Sequence, residues 1–83
     1  MTLRRLKLVT AEPPCLLHIV WRDGGTDIVD MSGVVRGVKL FAPLRDPAVF
    51  TRVQVIDHGS GIEWGNGLDY SSDSLGQLAA EQR

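Results

Sequence analysis

Residues 16–30 carry the sequence LLHIVWRDGGTDIVD, and this stretch decides the fold. Two short runs rich in apolar and β-branched residues, 16–21 and 26–30, lie on either side of Asp-Gly-Gly at 23–25. Because glycine adopts positive φ without steric cost, Asp-Gly between two such runs is a strong signal for a tight turn. The stretch therefore predicts an antiparallel β-hairpin.

The length of the turn determines which residues of the hairpin face each other. A two-residue loop at 23–24 pairs Ile19 with Ile28 and Trp21 with Thr26. We favour this register because it gathers large apolar side chains on one face of the hairpin. The members of that face are Leu17, Ile19, Trp21 and Ile28.

A three-residue loop gives the alternative register of the same hairpin. It pairs Val20 with Ile28 and His18 with Asp30, since a shift of one residue changes the partner of every side chain. The sequence favours the first register and leaves the second open.

The segments on either side of the hairpin predict one more strand before it and a loop after it. Residues 6–10 form a candidate strand that ends before the Pro-Pro pair at 13–14, because proline lacks the N–H that a β-ladder requires. Residues 31–44 contain two glycines and no clean periodicity. They predict a loop with a short extended stretch at 38–41.

A helix start follows this loop. Asp46 is a favourable N-cap residue, and Pro47 then occupies the first helical position, where the missing N–H costs nothing. The pair predicts a short middle helix of one or two turns.

The second half of the chain predicts another hairpin. Residues 53–57 and 62–64 have the composition of strands, and the glycine-rich segment 58–61 reads as a four-residue turn between them. This turn sets Val55 opposite Trp64.

The last segment predicts a short C-terminal helix. Ser74 and Gln77 have the spacing of a capping box. The apolar residues on one face of the helix are Leu75, Leu78 and Ala79. Together these elements predict an α+β fold, a small antiparallel sheet of hairpins with two short helices, in a single domain spanning residues 1–83.

Length and composition limit the function. With 83 residues and 9.1 kDa, the chain fits one small domain with a thin aliphatic core. A net charge of −1 does not favour nucleic acid as a partner. No window approaches the roughly 18 consecutive apolar residues of a membrane span, and a lone Cys15 is typical of a cytoplasmic protein.

The candidates for catalytic chemistry are Cys15, His18 and His58. Cys15 enters an apolar strand, so we expect it to be buried as a small hydrophobe. The acid–base pairs that the sequence offers are His18 with Asp30 and His58 with Asp57. One cysteine and two separated histidines fall short of a zinc ligand set. We expect no catalytic residue, no metal site and no cofactor, and therefore no enzyme.

Three spaced motifs give the chain a family resemblance. They are FAPLRDPAVF at 41–50, WGNGLD at 64–69 and DSL at 73–75. With the Asp-Gly turn they resemble, in order, the bacterial family known as domain of unknown function 2442 (DUF2442), in which a Trp-Pro-Asn-Gly-x-Asp motif leads into a short helix. The resemblance runs from about residue 16 to 78. Gly65 and Ser72 stand where proline is common in that family.

The resemblance implies a small α+β domain with no established activity. Members of the family are often encoded beside another small protein, as in toxin–antitoxin pairs, and some are fused to a helix-turn-helix domain. Asp69 is expected either to cap the C-terminal helix or to contact a partner, and Tyr70 suits an interface because it combines an aromatic ring with a polar tip. The candidate interaction residues are Trp64, Asn66, Asp69 and Tyr70.

The sequence thus predicts a non-enzymatic protein-interaction module, the accessory or antitoxin-like member of a two-gene pair. The expected contact region is an exposed sheet edge or the surface around residues 64–70. The expected partner is a small protein encoded nearby, and a homodimer would also cover a sheet edge. Neither a membrane nor nucleic acid is expected as a partner. The alternative function is a small-molecule or nucleic-acid sensing domain.

Overall fold

The computed structural model describes residues 4–65 and 67–83. These residues form an α+β fold of two three-stranded antiparallel sheets and three helices. The elements are β1 (Leu6–Glu12), β2 (Leu16–Trp21), β3 (Thr26–Asp30), α1 (Ser32–Gly37), α2 (Pro47–Phe50), β4 (Gln54–Ile56), β5 (Gly61–Glu63), β6 (Asp69–Ser71) and α3 (Ser72–Gln82), with 3-10 turns at Lys39–Arg45 and Asp57–Gly59. No helix of the described residues has the length and apolarity needed to cross a bilayer.

The first sheet has the order β1-β2-β3 and contains the predicted hairpin, but both predicted registers are wrong. Ile19 pairs with Asp27, and Leu17 pairs with Val29. Val29 is therefore buried in the core, and Ile28 lies on the opposite face with 61% of its surface exposed.

The turn chemistry explains the register. The Trp21 N–H donates to the Gly25 carbonyl at 2.8 Å, and the Gly24 N–H donates to the Trp21 carbonyl at 3.0 Å. Gly24 has φ +94°, the left-handed conformation that a three-residue hairpin loop requires at its last position. The loop is 22–24, one residue earlier than either predicted loop.

The prediction of a loop at 31–44 is also wrong, because this segment forms α1 followed by a seven-residue 3-10 stretch. Its buried residues Val35, Phe41 and Leu44 pack into the core. Two short helical pieces joined at a bend show no single period in the sequence. Tertiary packing therefore decides their conformation rather than local propensity.

The predicted helix start at Asp46 is confirmed. Its carboxylate Oδ1 accepts a hydrogen bond from the Ala48 N–H at 2.9 Å, and Pro47 is the first residue of α2.

Replacing Asp46 by alanine is expected to lower the free energy of unfolding by about 1 kcal/mol, because the capped N–H then loses its partner. Urea unfolding followed by circular dichroism measures the change. Asp46→Asn retains the accepting oxygen and serves as the control, so equal losses for the two variants would contradict the capping role.

The second sheet has the order β4-β5-β6 and a register different from the predicted one. Val55 pairs with Ile62, not with Trp64. The loop has the predicted four residues but lies at 57–60, because Asp57 and His58 both adopt positive φ (51° and 56°) and close the turn one residue early.

Two further features of the C-terminal half differ from the sequence prediction. Strand β6 is three residues long, too short to give a pattern in the sequence. Helix α3 begins earlier than the capping box at Ser74 indicated, since Ser71 is the N-cap and its Oγ accepts from the Ser74 N–H at 3.1 Å. The predicted apolar face is present, with Leu75 and Ala79 buried.

One hydrophobic core joins the two sheets and the helices. Trp64 is fully buried, stacks on Phe50 with ring centroids 6.4 Å apart, and meets the edge of Phe41 at 6.3 Å. The turn at Asp57–Gly59 packs against the first residue of β1, where Gly59 lies against the backbone of Leu6. This close approach connects the second sheet to the first.

Candidate functional site: the outer face of the first sheet

The first sheet buries one face and leaves the other open. Side chains alternate along a strand, so the residues between the core positions of β1, β2 and β3 form a three-by-three array on the opposite face. We call this array the outer face. Its rows are Leu8–Val20–Thr26, Thr10–His18–Ile28 and Glu12–Leu16–Asp30.

The outer face exposes apolar side chains. Leu8 is 54% exposed and Ile28 is 61% exposed, while Val20 and Leu16 of the central strand are half-buried between their neighbours. Isolated exposed apolar residues are ordinary, but neighbouring ones on an uncovered sheet face are typical of an interaction surface.

His18 occupies the centre of the outer face. Its Nε2 lies 3.0 Å from Glu12 Oε1, and its opposite residue on β3 is Ile28. The candidate acid–base pair of His18 with Asp30 is therefore not formed. Asp30 instead accepts a hydrogen bond from the Ser32 N–H at 2.8 Å, and that bond holds the pKa of the carboxyl below its usual range.

The edge of β3 is covered near its end. The Gln82 side chain donates to the Asp30 carbonyl at 2.7 Å and accepts from the Asp30 N–H at 2.8 Å. These two bonds imitate those of a neighbouring strand, so this part of the edge has no free ladder groups.

The four residues predicted for interaction have different environments. Trp64 is fully buried, so its side chain is a core residue and offers no contact surface. Asp69 is exposed and lies opposite Glu63; it does not cap α3, since Ser71 does. Tyr70 is half-buried and Asn66 lies outside the described residues.

Tyr70 is held by aromatic packing. Its ring meets the edge of Phe41 with centroids 5.9 Å apart. Burial, with a smaller contribution from the negative charge of Glu81, raises the pKa of the Tyr70 hydroxyl. The ring therefore supports the core and presents its polar tip beside α3.

A network around Asp27 was not predicted from the sequence. Asp27 lies on the inner face of β3 with its side chain 11% exposed, and the Trp21 Nε1–H donates to it at 2.7 Å. Arg83 donates to both carboxylate oxygens, and the Arg4 guanidinium stacks 4.3 Å above the Trp21 ring. The sequence places Asp27 on the inner face only if the observed register is known, because in that register Asp27 lies opposite Ile19.

The other candidate acid–base pair, His58 with Asp57, does not form an enclosed site. Asp57 and His58 are both exposed in the turn after β4. Within residues 4–65 and 67–83, no group of three or more His, Cys, Asp or Glu side chains has the arrangement of a metal site.

Neither the protein-family models nor the curated proteins compared match this chain. Among solved structures, the chain is similar to a crystal structure from Nitrosomonas europaea ATCC 19718 described as that of a "putative DNA binding protein". The TM-score is 0.84, with 29% sequence identity over 95% of this chain. The chain spans about half of that protein, 50% of its length. This similarity supports the α+β architecture, and the resemblance to DUF2442 stays a prediction.

Proposed function

We propose that this chain is a non-enzymatic protein-interaction module, acting as the accessory or antitoxin-like member of a two-protein pair. The observation that carries the proposal is the outer face of the first sheet, where Leu8, Val20 and Ile28 lie on three adjacent strands without a covering element among the described residues. The proposed contact region is this face rather than the surface around residue 64, because Trp64 is buried.

The composition of the outer face suits a protein partner. Its apolar residues supply area that becomes buried on association, and Thr10, Thr26 and the His18–Glu12 pair supply polar groups beside them. Interfaces commonly combine apolar area with direct hydrogen bonds of this kind. A sheet with one face open can also receive a second layer of structure.

Co-expression with the protein encoded next to it tests this proposal. We expect a complex on size exclusion, and we expect the variant Leu8→Lys/Ile28→Lys to elute separately, because a lysine ammonium is costly to bury without a partner. Leu40→Lys is the matched control, since Leu40 is 66% exposed but lies in the 3-10 segment.

Two outcomes would contradict the proposal. Independent elution of the two wild-type proteins at micromolar concentration would count against a pair. Equal loss of the complex with Leu40→Lys and with the double variant would count against the outer face. A dimer of the chain alone that the double variant disrupts would keep the outer face as an interface and make a second copy the partner.

A sensing or regulatory domain is the second candidate. It is favoured by the name of the similar solved structure, of which this chain covers half. Its nucleic-acid version predicts binding to duplex DNA that weakens steeply with salt, and binding absent at every salt concentration would remove that version.

A further inference from the structure

A cavity of about 480 Å³ lies where the turn between β1 and β2 meets α1. Its volume is within the range of roughly 300–1,000 Å³ that is typical of small-molecule sites. Residues of the outer face do not line it. The residues that line it are Pro14, Cys15, Val35, Arg36 and Arg45.

The backbone around this cavity is fixed by the core. Arg36 directly follows Val35, which is 1% exposed, and Arg45 directly follows Leu44, which is fully buried. The Cys15 carbonyl accepts a hydrogen bond from the Met31 N–H at 2.8 Å and ties the turn to the start of α1. Two arginines on different elements, each next to an anchored core residue, thus line one concavity.

Neither guanidinium group is held in a close ion pair, and the positive charge of Arg36 lies near enough to Asp30 to help lower the pKa of that carboxyl. The ion pairs within the described residues are made by other cations, and neither Arg36 nor Arg45 has one. The carboxylates nearest in sequence, Asp30 and Asp46, are each held in place by a hydrogen bond from a backbone N–H. The wider segment 31–52 is basic, with four Arg or Lys residues against one acid.

We propose that this cavity binds a small organic anion through Arg36 and Arg45. Guanidinium groups present planar pairs of N–H donors that match the oxygens of phosphate and carboxylate. Pro14 supplies an apolar contact for the body of such a ligand, and Cys15 lines the same cavity. Cys15 is only half-buried, so the prediction that it is buried as a small hydrophobe is wrong.

The thiol provides a direct test, because Cys15 is the chain's single cysteine. Its thiolate attacks the methylene carbon of iodoacetate or iodoacetamide, a C–S bond forms, and iodide leaves. Iodoacetate carries a carboxylate, whereas iodoacetamide is neutral and corrects for the fraction of thiolate. We expect Arg36→Gln/Arg45→Gln to lower the ratio of the iodoacetate rate to the iodoacetamide rate by about tenfold.

Arg52→Gln is the matched control, since Arg52 is a basic residue of the same segment that does not line the cavity. It is expected to change the rate ratio by less than about twofold, because its exposed charge is screened by salt and it does not line the cavity. Far-UV circular dichroism checks that each variant is folded.

Protection of the wild-type Cys15 thiol from alkylation gives a second measurement, which needs no variant. Inorganic phosphate or acetate is expected to slow alkylation by iodoacetamide, relative to chloride at equal ionic strength. Protection at lower concentration by phosphate identifies a phosphate site, and the reverse order identifies a carboxylate site. An unchanged rate ratio in the double variant, an equal fall in Arg52→Gln, or absence of protection by both anions would overturn the proposal.

Discussion

Replacing Gly59 by alanine is expected to lower the free energy of unfolding by about 3 kcal/mol or more. A Cβ on Gly59 would overlap the carbonyl oxygen of Leu6 and lie 3.0 Å from its amide nitrogen. Backbone atoms cannot move aside as the end of a flexible side chain can, so the turn must separate from β1. Gly59 also has φ +92°, which adds strain for any residue with a side chain.

The variant Gly24→Ala separates the effect of the overlap with Leu6 from the strain of a positive φ. Gly24 has nearly the same φ, +94°, but a Cβ there meets nothing within 4 Å. Its loss is expected to be about 1 kcal/mol, the cost of the left-handed conformation alone. Urea unfolding followed by tryptophan fluorescence suits both variants, because Trp21 and Trp64 are fully buried. Equal losses for the two variants would show that the contact with Leu6 contributes nothing.

Replacing Asp27 by alanine is expected to cost about 2–4 kcal/mol. The change leaves the indole N–H of buried Trp21 without its acceptor and removes the three hydrogen bonds from Arg83. Asp27→Asn keeps an oxygen that can accept from Trp21 but has no charge for Arg83, so a smaller loss is expected. Thermal or urea unfolding of the two variants measures the difference.

The same carboxylate gives stability a predictable dependence on pH. Burial alone would raise the pKa of Asp27, but the hydrogen bonds from Arg83 and Trp21 and the charges of both arginines outweigh it and hold the pKa below the usual value of 3.8. A carboxyl with a lowered pKa in the folded state stabilises the fold above its unfolded pKa. This contribution is therefore present at neutral pH and is lost as the pH falls below about 4 through the folded pKa.

The Asp27→Asn variant should lose less stability than the wild type over that acid range, as urea unfolding at a series of pH values would show. Asp23→Ala is the control, because Asp23 also contacts Arg4, at 3.1 Å, but is largely exposed. We expect a smaller loss at neutral pH than from Asp27→Ala, because the exposed ion pair contributes little and a single turn hydrogen bond, from the Gly25 N–H, is lost. A loss from Asp23→Ala as large as that from Asp27→Ala, or identical pH profiles for wild type and Asp27→Asn, would contradict the role of the buried carboxylate.

The sequence predicted those parts of the fold that local chemistry determines. The pair Asp46-Pro47 begins a helix, and the runs 16–21 and 26–30 are strands with the predicted bounds. Both hairpin registers were wrong by a small shift, because Gly24, and in the other turn Asp57 and His58, close the loops from positions that several turn types allow. Propensity identifies such residues without fixing which one takes positive φ.

The proposed contact surface was harder to predict for the same reason. A one-residue error in register exchanges the faces of a strand, so Ile28 was assigned to the core and Val29 to the surface. Because of the same error the sequence did not predict that Asp27 lies on the inner face, since that position follows only from the observed pairing with Ile19. The meeting of Arg36 and Arg45 at one cavity depends on the bend between α1 and the 3-10 segment, which has no local signal in the sequence.

The Asp27 network also places two distant parts of the chain side by side. Arg83 lies 2.9 Å from the Asp27 carboxylate and Arg4 lies 3.7 Å from it, although 78 positions separate the two arginines in sequence. The Asp27 carboxylate therefore acts as a non-covalent cross-link between the segment before β1 and the segment after α3.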